Sequence, residues 1–310
     1  IEDFYDFYTR QTNLTDFLQY YDFSMWQHEY YNGSHFDSAI NYFENHLKNS
    51  KQLRLSNKTS SNSYSGGLYP IELSMDSYSS ILKLASCCST TPYNILLTVY
   101  IVFLSCEYAQ TDITIGMQTA ARMHDAAGIF GYFANLLPIR LEVEYSKSLE
   151  EHLSQIHSTL IKLQQFQFLP YELIKGCNQD ANLTDNIFNS LFSFQDLPHN
   201  ETLESNGIKI TDDFMPVNNV SDFDLSFYIT STSISFVGYI QYKKDLFEEQ
   251  EIEDIFNKFS LFLNVLLRSP YTSIQENLDD IYHKESYKPV PLRSCILADY
   301  YSTLPSHLND

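Results

Sequence analysis

Apolar and polar positions alternate most regularly in one stretch near the middle of the chain. Ile113, Ile115 and Met117 alternate with Thr114, Gly116 and Gln118, which predicts a half-buried strand. The chain then turns through Ala120, Ala121 and Arg122, crosses a short apolar segment, and returns as a second strand from Leu137 to Val143. Between the strands lies Phe130-Gly131-Tyr132-Phe133-Ala134-Asn135. Gly131 puts backbone without a Cβ beside aromatic rings, as happens where a chain approaches another chain or a ligand closely. Asn135 and Arg140 are the polar groups of an otherwise apolar run. By spacing alone this is a core crossover with a satisfied Asn and an Arg whose stem lies on apolar surface.

Helical periodicity accounts for much of the rest. Ile1, Phe4, Tyr5 and Tyr8 share a face over residues 1–10, in a helix that starts without a cap. Asn13 and Thr15 are the expected caps of a second helix through Tyr20, Tyr21, Met25 and Trp26 to about Tyr31, stopped by Asn32-Gly33. A third helix is predicted over 35–47. Residues 49–68 are polar, rich in Ser and Asn, and read as a surface loop. A strand over 70–75 precedes a helix capped by Asp76 or Ser77 and ending near Cys87. Thr91-Pro92 then starts a long buried helix as cap and first residue. Leu149, Leu153, Ile156, Leu160 and Leu163 mark a helix over 148–168. Strands follow at 187–195, from Phe223-Asp224-Leu225, and at 237–242. A helix over 248–267 closes the series, and residues from Pro270 onward read as a linker.

Composition narrows the classes. The chain has 310 residues, 44% of them hydrophobic, enough for a sizeable core. A net charge of −20 argues against nucleic acid or an anionic membrane surface as partner, because either would repel it. Cys87, Cys88, Cys106, Cys177 and Cys295 fit neither a zinc spacing nor a disulfide framework, so core thiols in a reducing cytoplasm are expected. No apolar run reaches the length of a membrane span, and no metal site is expected. There is no phosphate-binding Gly-x-x-x-x-Gly-Lys loop and no Gly-x-Ser-x-Gly elbow.

Several stretches resemble the condensation domains of non-ribosomal peptide synthetases. Ala121-Arg122 and Gly131 to Arg140 are similar to that family's Gly-Arg pair, Gly-x-Phe-Val-Asn-Thr segment and closing Arg. Here Ala121 stands for Gly, Ala134 for Val and Leu136 for Thr. Tyr20 to Gln27 resembles its Tyr-x-Asp-Phe-Ala-Val-Trp-Gln helix, carrying Asp22 and Trp26. Phe166-Gln167-Phe168-Leu169-Pro170-Tyr171-Glu172 resembles its His-Gln-Asp-x-Pro-Phe-Glu motif, with Phe166 and Phe168 replacing polar residues while Pro170 and Glu172 stand. Tyr242, Asp245, Leu246 and Phe247 match its Tyr-x-x-Asp-Leu-Phe. The match runs from about residue 1 to about residue 280.

The resemblance implies a chloramphenicol-acetyltransferase-like α/β fold, a mixed sheet packed on helices. It divides the chain into the helical end of a first lobe (1–48), a surface loop (49–68), a second lobe (69–270) and a C-terminal tail (271–310). It implies amide-forming acyl transfer between groups presented on the phosphopantetheine arms of carrier domains, beside an adenylation domain, with no cofactor bound directly. Arg122, Asn135, Arg140, Gln195 and Asp224 are the expected tunnel-lining or lobe-fixing residues. Asp22, Trp26, Gly131, Pro170, Glu172, Tyr242 and Asp245 are expected to hold structure. No catalytic residue is assigned.

The family's His-His-x-x-x-Asp-Gly signature does not occur in the chain. None of its nine histidines adjoins another or has Asp four residues later. A neutral imidazole is what the chemistry calls for, since the attacking amine must lose a proton and the oxyanion must be stabilised. The opening helix resembles the one that follows the signature, which places the signature just upstream of Ile1. Three readings stay open: a piece of a catalytic condensation domain, a non-catalytic docking module of the same fold, and a stand-alone acyltransferase needing the same absent His.

Overall fold

The computed structural model of the protein describes residues 18–284 except 57, 59–63, 123–125, 127, 178–185, 197–202, 206–207, 211–219 and 233. The helix expected at 1–10, the caps Asn13 and Thr15, and Cys295 lie outside the described residues.

Two helices open the described chain, α1 (Tyr20–Tyr30) and α2 (Ser34–Leu47). Strand β1 (Gly66–Glu72) and helices α3 (Met75–Cys87) and α4 (Pro92–Tyr108) follow. Then come β2 (Asp112–Thr119), β3 (Asn135–Glu142), α5 (Leu149–Gln165) and the short α6 (Tyr171–Gly176). The remainder is β4 (Ser190–Gln195), β5 (Leu203–Ser205), β6 (Ile208–Ile210), β7 (Leu225–Ser231), β8 (Phe236–Lys243), α7 (Glu249–Arg268) and α8 (Ile274–Lys284). Six strands form one mixed sheet in the order β1-β8-β7-β4-β2-β3, and β5 and β6 pair separately. β2, β4 and β7 run parallel, while β3, β8 and β1 join antiparallel.

Helix α4 is the centre of the core. Every residue from Asn94 to Cys106 is buried, which suits a helix apolar on all sides. Thr91 Oγ1 accepts the Asn94 N–H at 3.2 Å, Pro92 occupies the first turn, and Ala109 ends the helix in the left-handed region at φ 54°. Tyr100 reaches across to the sheet. Its ring lies 4.6 Å from that of Phe227 and 5.4 Å from that of Phe192, and its hydroxyl meets Ser190 Oγ at 2.7 Å. A buried phenol needs such a partner. Burial holds its pKa well above the ordinary tyrosine value.

Close packing also explains a glycine. A Cβ on Gly116 would lie 2.1 Å from the ring of the buried Phe188, so β2 keeps a position without a side chain there. Ser148 caps α5 in a reciprocal box with Glu151. His152, fully buried, uses both ring nitrogens, Nδ1 with Ser148 O at 2.7 Å and Nε2 accepting the Glu144 N–H at 3.2 Å.

Four expectations change. Helix α1 begins at Tyr20 with Gln19 as cap, and Asp22 is exposed and accepts the Gln19 N–H at 2.8 Å. Helix α3 is capped one turn earlier than expected, by Ser74, whose Oγ accepts the Ser77 N–H. The stretch expected as a surface loop is anchored where it is described: Leu53 and Leu55 are buried, Asn189 Nδ2 donates to Leu53 O at 2.7 Å, and 66–68 belong to β1. The linker expected after 270 contains α8, with Ile274 and Asn277 buried. Asn277 Nδ2 reaches the carbonyls of Ser269, Thr272 and Ser273, which fastens this helix to the end of α7.

Candidate functional site

The parallel strands give the sheet two ends, and the five expected site residues divide between them. Arg122 follows β2, Asn135 opens β3 and Gln195 closes β4, all at the C-terminal end of the parallel strands. Arg140 and Asp224 lie at the opposite end. Asn135 and Arg140 are five residues apart on one strand, about 17 Å, and the odd spacing puts them on opposite faces. The five residues do not converge on one site.

At the Arg140 end the contacts are structural. Arg140 forms a two-pronged ion pair with Asp112, Nε to Oδ1 and Nη2 to Oδ2, both at 2.7 Å. Its Nη1 donates to the carbonyls of His46 at 2.9 Å and Lys48 at 2.8 Å. One side chain thus ties the end of α2 to the β2–β3 hairpin. His46 lies beside it, its ring stacked 5.4 Å from that of Tyr42, its Nε2 buried without a partner among the described residues. Burial and the Arg140 charge lower its pKa to about 4. Asp224 pairs with Lys243 Nζ at 2.9 Å and accepts Asn189 Nδ2 at 3.1 Å, closing the start of β7. Tyr242 is buried next to Gly67, where a Cβ would meet its ring at 2.3 Å, and Asp245 is half-buried in the following turn.

At the other end Asn135 is the organiser. Its Nδ2 donates to the carbonyls of Gln167 at 2.9 Å and Leu169 at 2.7 Å, and its Oδ1 accepts the Tyr171 N–H at 3.2 Å. The loop between α5 and α6 is thereby fixed to β3. Phe168 O accepts from Gln27 Nε2 at 3.2 Å and from the Tyr31 hydroxyl at 2.9 Å. The Phe168 ring sits edge-on to Trp26, 5.2 Å between centroids, and Phe166 packs 5.1 Å from Tyr42. The two aromatic replacements therefore face α1 and α2. Pro170 precedes α6 as its cap, and Glu172 is exposed in its first turn.

Arg122 shapes the β2–β3 connection. Its Nη1 donates to Ala126 O at 2.8 Å and Ile129 O at 2.6 Å, and its guanidinium lies 4.0 Å over the Phe133 ring. Ala121 before it has φ 42°, a left-handed backbone that costs a residue with a Cβ about 1–2 kcal/mol. That is why glycine suits this position. At Gly131 a Cβ would lie 2.1 Å from the Tyr20 ring, and the Tyr20 hydroxyl donates to Tyr132 O at 2.7 Å. The connection presents Phe130 and Tyr132 to solvent, 99% and 80% exposed. Gln195 is exposed at the tip of β4.

A cavity of about 180 Å³ lies between α1, the 132–135 segment and the 167–170 loop. A second, of about 310 Å³, is lined by His46, Asp112, Arg140, Glu142 and Thr159. Among the described residues no group of three or more His, Cys, Asp or Glu side chains is placed to hold a metal ion, and no single helix is long and apolar enough to cross a membrane. Cys106 and Cys177 are buried thiols, their pKa pushed up by burial.

Sequence reasoning missed the partners. Asp112 was legible as the cross-strand diagonal of Arg140 once the hairpin register is known. Gln27, Tyr31 and the carbonyls of 167–169 carried no local signal, being more than 30 residues from what they bind.

Two outcomes are expected. Asn135→Ala leaves two carbonyls and one N–H without their partner and lowers stability by about 2 kcal/mol or more. Thermal melting measures the loss, and Trp26 emission shifts to longer wavelength as the Phe168 loop loosens. Stability also falls with acid. The unfolded imidazole of His46 titrates near 6.5 and the folded one near 4, so between these values the unfolded chain binds more protons. The contribution is complete above the unfolded value and is lost as pH drops towards 4, by about 3 kcal/mol at most. His46→Phe reduces this acid sensitivity in melting curves recorded at pH 7 and pH 5.

Comparison with known proteins gives the family and the fold. The family model described as Condensation domain matches residues 1–281. Gramicidin S synthase 2 of Brevibacillus brevis is 24% identical over 285 residues, which span 89% of this chain and 6% of that protein. In fold, the condensation domain from Monacolin K polyketide synthase MokA matches with a TM-score of 0.73 at 17% identity, over 85% of this chain and 64% of that one. The teicoplanin X-domain in its complex with OxyB matches at 0.72 and 17%, over 84% and 60%. The chain thus spans under a tenth of the synthase and about three-fifths of the solved domains, and its mixed sheet packed on helices is the chloramphenicol-acetyltransferase-like arrangement. By the family match over most of its length, the chain belongs to the condensation domain family of non-ribosomal peptide synthetases.

Proposed function

We propose that this chain is part of a condensation domain that joins a carrier-bound acyl group to a carrier-bound amine within a multienzyme. The donor thioester carbon is attacked by the acceptor amine. An amide forms, the C–S bond breaks, and the amine proton leaves so that a free thiol is released. The observation that carries the reading is the Asn135 scaffold, which holds together three segments that resemble family motifs, α1, the start of β3 and the 166–172 loop.

On this reading residues 1–48 end a first lobe, 69–270 form the second, and 271–310, which include α8, follow it. Arg140 and Asp112 fasten the two lobes, Asn135 and Arg122 shape the end of the sheet nearest the substrates, and Gln195 faces them from β4. Asp224 serves only the sheet. The phosphopantetheine arms belong to partner carrier domains, an adjoining adenylation domain activates the acyl group loaded on one of them, and the assembly is cytoplasmic. The chemistry needs a proton-handling imidazole, which in the family is the second His of the His-His-x-x-x-Asp-Gly signature.

A second reading, a docking module without catalysis, is supported by the likeness in fold to the teicoplanin X-domain, which has been seen in complex with OxyB. Phe166 and Phe168 do not support it, since both pack inward.

The test uses the native parent protein with loaded donor and acceptor carriers. Amide product is expected, and replacing the second His of the signature by Ala is expected to lower its rate by ~100-fold or more. No product, or a rate indifferent to that His, contradicts the condensation reading and leaves the docking module.

A further inference from the structure

We infer that the cavity beneath α1 binds a small, uncharged aromatic amide. Its walls are largely aromatic: Tyr20 and Phe23 from α1, Phe133 before β3, and Phe168 opposite. Ala121, Ala134 and Pro170 leave room between them, and among the described residues no Asp, Glu, Lys, Arg or His lines it. The Arg122 guanidinium lies close by, 4.0 Å over the Phe133 ring, and donates to the carbonyls of Ala126 and Ile129. A charged ligand would be desolvated there with no ionic partner among the lining residues, whereas a ring can meet the wall rings edge-on or offset.

The polar atoms define the rest of the ligand. Asn135 is consumed by its three backbone contacts. Gln27 donates through Nε2 to Phe168 O, and Gln167 accepts through Oε1 from Thr119 Oγ1 at 3.0 Å. Each of these two lining glutamines therefore keeps one amide atom without a protein partner among the described residues, the Gln27 carbonyl oxygen as acceptor and the Gln167 NH₂ as donor. One acceptor and one donor in a site of aromatic walls match one amide N–H and one amide C=O. A volume of about 180 Å³ is below that of pockets for drug-sized ligands and fits a single side-chain-sized fragment. If the condensation reading holds, the occupant is the amide and ring of a carrier-bound acyl group.

The chain contains one tryptophan, and it reports on this cavity. Trp26 lies 5.8 Å from Phe23 and 5.2 Å from Phe168, both wall residues. The experiment titrates the full chain with benzamide and, separately, with benzoate, which has the same ring but carries a charge. Benzamide is expected to change Trp26 emission saturably, and benzoate to bind roughly tenfold or more weakly. Ala134→Phe fills the cavity from an exposed position and is expected to abolish the response while the circular dichroism spectrum stays unchanged. Gln167→Leu removes the free donor and is expected to weaken benzamide alone, which keeps the test decisive if the Phe variant does not fold. An unsaturable response, equal binding of benzoate, or a response kept in a folded Ala134→Phe protein overturns the inference. Because the assay needs no carrier and no catalysis, binding without amide formation by the parent retains the pocket and removes the condensation reading, and the converse does the reverse.

Discussion

The side-chain amide of Asn135 is the constraint on which the site end of this molecule depends. A loop between two helices carries backbone carbonyls that its own helices cannot satisfy. Asn135 accepts one N–H of that loop and donates to two of its carbonyls. Fixing those atoms aims the next carbonyl, that of Phe168, at Gln27 and Tyr31, and stands the Phe168 ring against Trp26. Helix α1 has few other buried contacts, Phe23 being its one buried residue. Its position therefore follows from a hydrogen-bonded loop and a cluster of rings more than from a broad apolar face.

Arg140 makes a different bond between the same parts. It joins the far end of α2 to the hairpin through Asp112 and two carbonyls. A partly buried guanidinium with a two-pronged carboxylate offsets its desolvation by geometry, and all its nitrogens are used. The helical pair is thus pinned at both ends of β3, by an amide at one and an ion pair at the other. The polar pocket beside His46 belongs to this second pin, while the aromatic cavity belongs to the first.

Much of this architecture was legible in the residues. The alternation of Ile113, Ile115 and Met117, the Thr91-Pro92 start of α4 and the leucine spacing of α5 lead directly to elements seen in the structure, because local geometry and one buried face decide them. Gly131 signalled a close approach, and Tyr20 makes it. What escaped was long-range. No periodicity could show that Phe166 and Phe168 face α2 and α1, or that Leu53 and Leu55 are buried within a polar stretch. Helix α8 was hidden by prolines beyond it and by the brevity of its apolar face, and Asn277 holds it by contacts to the preceding turn. The division of Arg122, Asn135 and Gln195 from Arg140 and Asp224 depends on strand direction, which a motif match does not carry.

Native-state hydrogen exchange at the Tyr171 amide addresses the central claim most directly. This N–H has Asn135 Oδ1 as its partner, at the junction of loop and helix. If Asn135 fixes the loop as described, the Tyr171 amide opens only with the core helix α4 and is protected to a similar degree. Exchange of Tyr171 at the rate of an exposed loop amide, while α4 stays protected, contradicts the account.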